Sequence, residues 1–532
     1  MASDAPDPTA PPTRRADIPI ALALATFAVV LWAPLLRCDL NLGDEGWIVT
    51  GTRRLLDGEV LYRDFVRTYM PGVFWSLAPF FQLFGESVVV MRGVALAELT
   101  AVAMLAFWIA RPLVPRWMAI WCGLFPIFLR PPYHKMFVPL SVLAGLWLCQ
   151  RLITKSSNPR RTLAVGIGLG LIGLLRQEVA GYATLIAVLS VLAVELGPNA
   201  SLGTGPTVVR RVIKSWTTLS AGILIIWLPV IALLAAQGAL ADVFDQLVLL
   251  GLRGNVAMEL PYPSITTIVQ GPERLMTSLY FFPILMVIVS ALVLTAALAR
   301  RTKPLERRQI VLAQWALMAL LTHSVFLHRS GFPHLKQVLP ASTLILAYLT
   351  SSIWYGHGAR GARRVLMVPL IGTWCIALLV WGATTEVAAG YRDLADGERF
   401  DHPGAPVILS KERAELYGKV LNVLNNRSAP DDPIFIAPHG PMFYFMSDRV
   451  NPTRHDSVWP GFASNTEVQR EIIADLDAAN VNLILIVDAA PDGVEEHRFP
   501  AYVPEFAQYL VENFAPVRRV GHFVFYERRT SD

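Results

Sequence analysis

Apolar runs of about 18–25 residues recur along two thirds of the chain, and each is long enough to cross a hydrocarbon core of roughly 30 Å. The first covers Ile18–Leu36. Others lie near 87–110, 117–130, 133–152, 162–176, 179–196, 217–237, 276–298, 309–327, 335–354 and 365–383, which makes about eleven. A backbone in lipid must satisfy its own polar groups, so runs like these fold as helices. The 117–130 and 162–176 runs are short, and their boundaries are soft. The 532 residues are 54% hydrophobic and 16% charged, against about 25% charged in a soluble domain. The expected class is an α-helical polytopic membrane protein with an α/β domain at its C-terminal end.

Basic residues are sorted by loop, which is the usual determinant of orientation. Arg14/Arg15, Arg111/Arg116, Arg151 to Arg161, Arg210 to Lys214, Arg300 to Arg308 and Arg360 to Arg364 fall on alternate loops. That side is expected to be cytoplasmic, in a plasma (bacterial inner) membrane. The formal charge of +5 therefore implies no nucleic-acid partner. Residues 1–16 read as a disordered cytoplasmic tail. Residues 17–383 read as the transmembrane domain, with an outward loop at 37–86 whose aromatic, Pro- and Gly-bearing run suits an interfacial helix, a short span being the alternative. Residues 384–532 read as an outward domain. The alternation demands an odd number of spans.

The C-terminal segment is polar enough to fold in water. DDPIFIAPHG reads as a strand ending in a Pro/Gly turn. SNTEVQREIIADLDAAN reads as a capped amphipathic helix. VNLILIVD and VRRVGHFVFYERR each read as a strand. The cysteines are Cys38, Cys122, Cys149 and Cys375, with no CxxC, so neither a disulfide framework nor a zinc site is indicated. No GxxxxGK[ST] and no GxGxxG opening a helix occurs.

The densest polar stretch is NLGDEGWIVTGTRRLLDGEVLYRDFVRTYMPG, residues 41–72, directly after the first apolar run. It carries the adjacent acids Asp44 and Glu45, then Arg53, Arg54, Arg63, Arg67, Tyr62 and Tyr69. The acidic pair, GEVLYRDF, the Pro71-Gly72 step and FGESVVVMR stand here in order. With LLRQEVAG (174–181), HRSGFPHLKQVLP (328–340) and PIFIAPHGPMFYFMSDRVNPTR, they resemble the C-type membrane glycosyltransferases of the family 39 and family 83 type. These are the protein O-mannosyltransferases and the lipid A aminoarabinose transferases. The resemblance covers most of the chain through short motifs whose ordered set is the specific signal. It implies a multispanning fold, a polyprenyl-phosphate-linked sugar as donor, and inversion at the anomeric carbon. The acceptor is not readable from the residues, since a lipid, a polysaccharide and a protein all fit. No cofactor is expected, and a divalent cation is not indicated.

Such a transfer needs one carboxylate to deprotonate the acceptor hydroxyl and fixed cations or donors where the phosphate gains charge. Asp44 matches the first acid of the motif and is the expected base; the competing reading is a helix cap. Glu45 is the second catalytic candidate, acting directly, orienting Asp44 or holding an arginine. Arg63, Tyr69, Arg176, Glu178, Arg329, His334 and Lys336 are the expected donor-phosphate and substrate contacts. For Arg176 the competing reading is a pair with Glu178. Glu98 is an intramembrane acid with a functional or a packing role. His323, His328 and His334 match no standard zinc spacing. For His439 and His455 in the tail, turn chemistry is the favoured reading over a place at the site.

A transporter or flippase for a lipid-linked saccharide shares the many spans. It needs neither the outward domain nor the acidic loop, and no paired broken helices suggest internal symmetry. An alkaline phosphatase fused after residue 532 is expected to be active in cells. A dead phosphatase there, with an active cytoplasmic reporter at the same point, would invert the orientation.

Overall fold

The computed structural model describes residues 14–130, 132–154, 158–195, 206–250, 259–264, 266, 274–299, 306–327, 330–355, 362–490 and 494–529. The chain divides into two compact units. The first comprises Met1–Ala33, Ala95–Trp227 and Tyr262–Ala388; the second comprises Pro34–Val94, Leu228–Pro261 and Ala389–Asp532.

Every apolar run of the sequence is a helix: Arg14–Trp32, Val88–Ala110, Arg116–Phe128, Phe137–Thr154, Pro159–Leu175, Gln177–Glu195, Pro206–Ala236, Arg274–Ala299, Arg307–Phe326, Phe332–Tyr355 and Ala362–Gly382. Among the described residues, seven helices are long and apolar enough to cross a membrane, and Arg116–Phe128 is apolar but shorter. Such helices, exposing Leu22, Val30, Leu228, Leu292 and Leu370 on their surfaces, belong to an integral membrane protein.

Within the first unit, charge sorts to helix ends as the loop pattern requires. Asp17 is buried and pairs with Arg111 at 3.0 Å and Arg116 at 3.1 Å. At the other end of helix Arg14–Trp32, the Trp32 indole N–H donates to the Ile127 carbonyl at 2.9 Å. The Arg130 guanidinium stacks on the rings of Trp32 and Tyr133, 4.1 and 3.9 Å from their centroids. Helices Arg14–Trp32 and Arg116–Phe128 therefore run in the same direction. Helices Pro159–Leu175 and Pro206–Ala236 touch through glycine: a Cβ at Gly166 would lie 2.2 Å from the Leu219 carbonyl oxygen and 3.0 Å from the Gly222 Cα. Small residues at such crossings let backbones approach where lipid offers no hydrophobic drive.

The second unit gathers the polar loop, the 228–261 segment and the tail. A hairpin pairs β1 (Glu398–His402) with β2 (Ala405–Leu409). A four-stranded sheet has the order β3-β4-β6-β5, with β3 Ile434–Ala437, β4 Leu483–Val487, β5 Phe514–Val520 and β6 Phe523–Arg528. β3 and β4 are parallel and almost wholly buried, which suits their unbroken apolar sequences IFIA and LILIV. Helix Thr466–Ala478, capped by the Asn465 side chain, and helix Pro504–Asn513 cover one face. There Phe435, Ile484, Ile486, Ile472, Leu476, Phe506 and Leu510 form the core. The stretch VRRVGHFVFYERR is not one strand, as its composition suggests. It turns back at Gly521, at φ +59°, so that β5 and β6 pair antiparallel. Helix Pro71–Phe84 leaves Phe80, Leu83 and Phe84 exposed.

The loop and the tail are joined by a buried charge cluster. Asp456 is 1% exposed and accepts from Arg54 at 2.8 Å, from Asn451 at 2.9 Å, and from the fully buried Arg67. Burial pushes the Asp456 carboxyl up, but Arg54 and Arg67 outweigh it and hold it at about 2. Its folded value lies below the usual carboxylate value of 3.8, so its contribution is full above about pH 4 and is lost as pH falls toward 2. The contribution amounts to about 2 kcal/mol. Asp456→Asn leaves the buried Arg67 without its carboxylate, while Arg54 keeps Glu59 at 2.7 Å; breaking a buried pair costs about 3–5 kcal/mol. Thermal unfolding of the purified variant at pH 7 is expected well below that of the parent, with a weaker loss of stability between pH 4 and pH 2. An unchanged midpoint would show that the cluster does not hold the unit together.

Candidate active site

The site is built on the first turn of helix Asp44–Leu56. The Asn41 side chain opens the helix by accepting from the backbone N–H groups of Gly43 at 3.0 Å and Asp44 at 2.8 Å. Asp and Glu in a first turn also suit the helix dipole. The two acids then part company. Glu45 is 2% exposed and bound by both edges of Arg92, Nε to Oε1 at 2.9 Å and Nη2 to Oε2 at 2.6 Å. The Asn41 backbone N–H adds a third contact at 3.2 Å. Arg92 spends its other donors on the carbonyls of Leu36, Cys38 and Asp39. Asp44, by contrast, keeps 34% of its side chain exposed.

The opposite wall comes from the tail. The turn His439-Gly440-Pro441-Met442 lies against the helix: the Met442 N–H donates to the Leu42 carbonyl at 3.0 Å, and the Thr50 hydroxyl donates to the Pro441 carbonyl at 3.0 Å. Tyr444 secures this turn, its hydroxyl accepting from the Ile436 N–H at 2.7 Å. Glycine makes the approach feasible. A Cβ at Gly43 would stand 2.1 Å from the His439 ring, and one at Gly46 would stand 2.3 Å from the Met442 nitrogen. His439 Nε2 then sits 4.0 Å from Asp44 Oδ1. Its Nδ1 lies 2.8 Å from the Ser457 hydroxyl and accepts from the Trp459 indole N–H at 3.1 Å. Trp47 packs against Trp459 and Tyr69, each with ring centroids 5.3 Å apart. A carboxylate, an imidazole and an aromatic wall are thus brought together.

The remaining expected residues are placed as follows. Tyr69 reaches the cluster through Trp47, and its carbonyl accepts from the Tyr62 hydroxyl at 2.9 Å. Arg63 is bidentate on Asp64 at 2.7 and 2.9 Å and donates to the Gln237 carbonyl; its hydrogen bonds hold the Asp64 carboxyl below the usual range. In the first unit, Arg176 pairs with Glu178 at 2.5 Å and the buried Lys336 pairs with Glu386 at 2.5 Å. His334 lies on the first turn of helix Phe332–Tyr355. Arg329 and His328 lie outside the described residues. Among the described residues no cluster of three or more His, Cys, Asp or Glu could hold a metal ion. Sequence reasoning did not single out Arg92, Trp459 or Asp456. Arg92 carries a signal, since it closes the FGESVVVMR motif.

The close approach yields a test. Gly46→Ala drives a Cβ into rigid backbone, and overpacking of this kind costs about 1–3 kcal/mol. Gly418→Ala, where nothing lies within 4 Å, is the control and should gain up to about 1 kcal/mol from helix propensity. Thermal unfolding of both variants in detergent checks this. Equal midpoints would mean that the tail turn is not seated on the helix.

No protein-family model matches the chain, and no curated protein matches it. Solved structures do. ArnT from Cupriavidus metallidurans bound to undecaprenyl phosphate is similar at a TM-score of 0.57 and 13% identity, over 96% of this chain and 98% of that one. The same protein in its apo state gives 0.54 and 12% over the same shares. The archaeal oligosaccharyltransferase AglB from Archaeoglobus fulgidus, in complex with an inhibitory peptide and a dolichol-phosphate, gives 0.47 and 11%, over 97% of this chain and 74% of that one. The chain has an ArnT-like fold.

Proposed function

We propose that this protein is a membrane glycosyltransferase that moves a sugar from a polyprenyl-phosphate donor to an acceptor hydroxyl, with inversion and on the outer face of a plasma membrane. The observation that carries the reading is the unequal treatment of two adjacent acids on an ArnT-like fold. Glu45 is buried and neutralised by Arg92, whereas Asp44 is a third exposed beside an aromatic wall. The undecaprenyl phosphate bound to ArnT supports a polyprenyl-phosphate donor here.

Asp44 accepts the proton of the acceptor hydroxyl as its oxygen forms a bond to the anomeric carbon. The bond from that carbon to the phosphate oxygen breaks, and its electron pair leaves with the polyprenyl phosphate. The leaving group needs no proton, so one base suffices. Glu45 serves by holding Arg92 and the 36–39 turn. Arg176, Glu178, Arg329, His334 and Lys336 remain the proposed donor contacts of the first unit. Arg176 and Lys336 already have carboxylate partners, with which a phosphate would compete. Arg63 and Tyr69 remain proposed substrate contacts of the polar loop.

Purified protein is to be incubated with radiolabelled undecaprenyl-phosphate hexoses and pentoses and membrane acceptors, and the products separated by thin-layer chromatography. Transfer from at least one donor is expected. Asp44→Asn should lose about 10²–10⁴ in turnover at saturating donor, the usual cost of a general base, while retaining donor binding. Glu45→Gln should lose thermal stability first. An Asp44→Asn enzyme within a few-fold of the parent would remove Asp44 from the chemistry.

A further inference from the structure

His439 is placed against Asp44 with more care than a turn requires. Residue 43 must be glycine for the ring to stand where it does. The ring is also held from behind by two groups, Ser457 and Trp459. Those contacts determine its protonation. An indole N–H only donates, so Nδ1 must present its lone pair to Trp459. The neutral ring therefore carries its proton on Nε2, the nitrogen that faces Asp44 at 4.0 Å. Protonating Nδ1 would cost the Trp459 hydrogen bond, so the same contact disfavours the imidazolium.

We infer that His439 is a positioning residue for Asp44, a neutral N–H donor locked in one tautomer by Trp459, which orients the carboxylate and keeps it ionised for proton abstraction. This rests on the reading of Asp44 as the base. The Nε2 proton is not transferred; the acceptor's proton goes to the Asp44 oxygen, and from there to solvent after the sugar has moved. At 4.0 Å the contact is longer than a hydrogen bond; catalytic contacts of this kind shorten when substrate binds. On the elements packed around the turn, Glu45 pairs with Arg92, Asp39 with Arg413, and Asp456 with Arg54 and Arg67; the Asn41 amide Nδ2 lies 3.5 Å from Asp44 Oδ2. His439 is the titratable group of the tail turn that faces Asp44.

The inference predicts shifts of opposite sign. Hydrogen bonding to the ionised form lowers a carboxyl pKa and its loss raises it. His439→Ala should therefore move the Asp44 midpoint upward by roughly half a unit to one unit, and the acid limb of kcat/KM should move with it. His439→Gln, which restores a side-chain N–H, should return toward the parent value. Trp459→Phe keeps the ring wall but frees Nδ1 to take a proton, with Ser457 accepting. The resulting imidazolium should move the limb to lower pH. The Asp44 carboxyl stretch, isolated by infrared difference between each protein and its Asp44→Asn counterpart, gives the midpoint without turnover. Turnover of the best undecaprenyl-phosphate sugar gives the acid limb.

A midpoint unchanged in His439→Ala would overturn the inference, as would upward shifts of equal size in His439→Ala and Trp459→Phe. If His439→Ala does not fold, the signs in His439→Gln and Trp459→Phe decide. An active Asp44→Asn enzyme would instead sink the assignment of the base, a failure the infrared titration distinguishes from failure of the His439 contact.

Discussion

The helix that carries Asp44 is held at both ends by charge taken out of water. At its start Glu45 meets Arg92, and near its end Arg54, with Arg67, meets Asp456. Ions buried this deeply cost several kcal/mol each and persist only where the remaining lone pairs and protons are also matched. The Arg92 cluster meets that condition; in the Asp456 cluster the Arg67 Nε is buried without a hydrogen-bond partner among the described residues, its guanidinium lying over the rings of Trp47 and Phe65. Arg92 serves three carbonyls beyond Glu45, and Asp456 receives the Asn451 amide as well. A shift of the helix by one residue would break both sets at once, so its register against the tail is specified strongly. The position of Asp44 follows from that register.

The same arrangement divides the work of two adjacent acids. Successive residues on a helix point about 100° apart, so Asp44 and Glu45 cannot share one environment. Glu45 turns inward to a fixed cation and supplies rigidity. Asp44 turns to the surface that the tail completes with His439 and Trp459. Functional groups held within a fraction of an ångström by such supporting contacts are the usual condition for catalysis. The glycines at 43 and 46 permit the approach and exclude any larger side chain.

Much of this was legible in the sequence, and the limit has a physical form. Local signals carried far: each apolar run is a helix, IFIA and LILIV are buried strands, and Asn465 caps the helix expected after it. The pairing of Arg176 with Glu178, two residues apart, was among the alternatives the sequence itself offered. Partners far apart in the chain were not legible. Nothing in the spacing joins Arg67 to Asp456 or Gly43 to His439, because such contacts depend on how the chain returns. The reading of VRRVGHFVFYERR as one strand failed for a local reason, since Gly521 at positive φ makes a turn that its apolar neighbours disguise. Tail histidines looked like turn chemistry, and His439 does sit in a turn, but one seated against the acidic helix.

The central claim is that the Asp44 carboxylate accepts the acceptor's proton during transfer from a polyprenyl-phosphate sugar. Chemical rescue of Asp44→Ala by formate tests it most directly, because formate replaces the missing base without restoring any other contact. The account predicts an enzyme that binds undecaprenyl-phosphate sugar, transfers almost nothing by itself, and regains transfer in proportion to added formate. Transfer by Asp44→Ala at the parent rate, indifferent to formate, would contradict it.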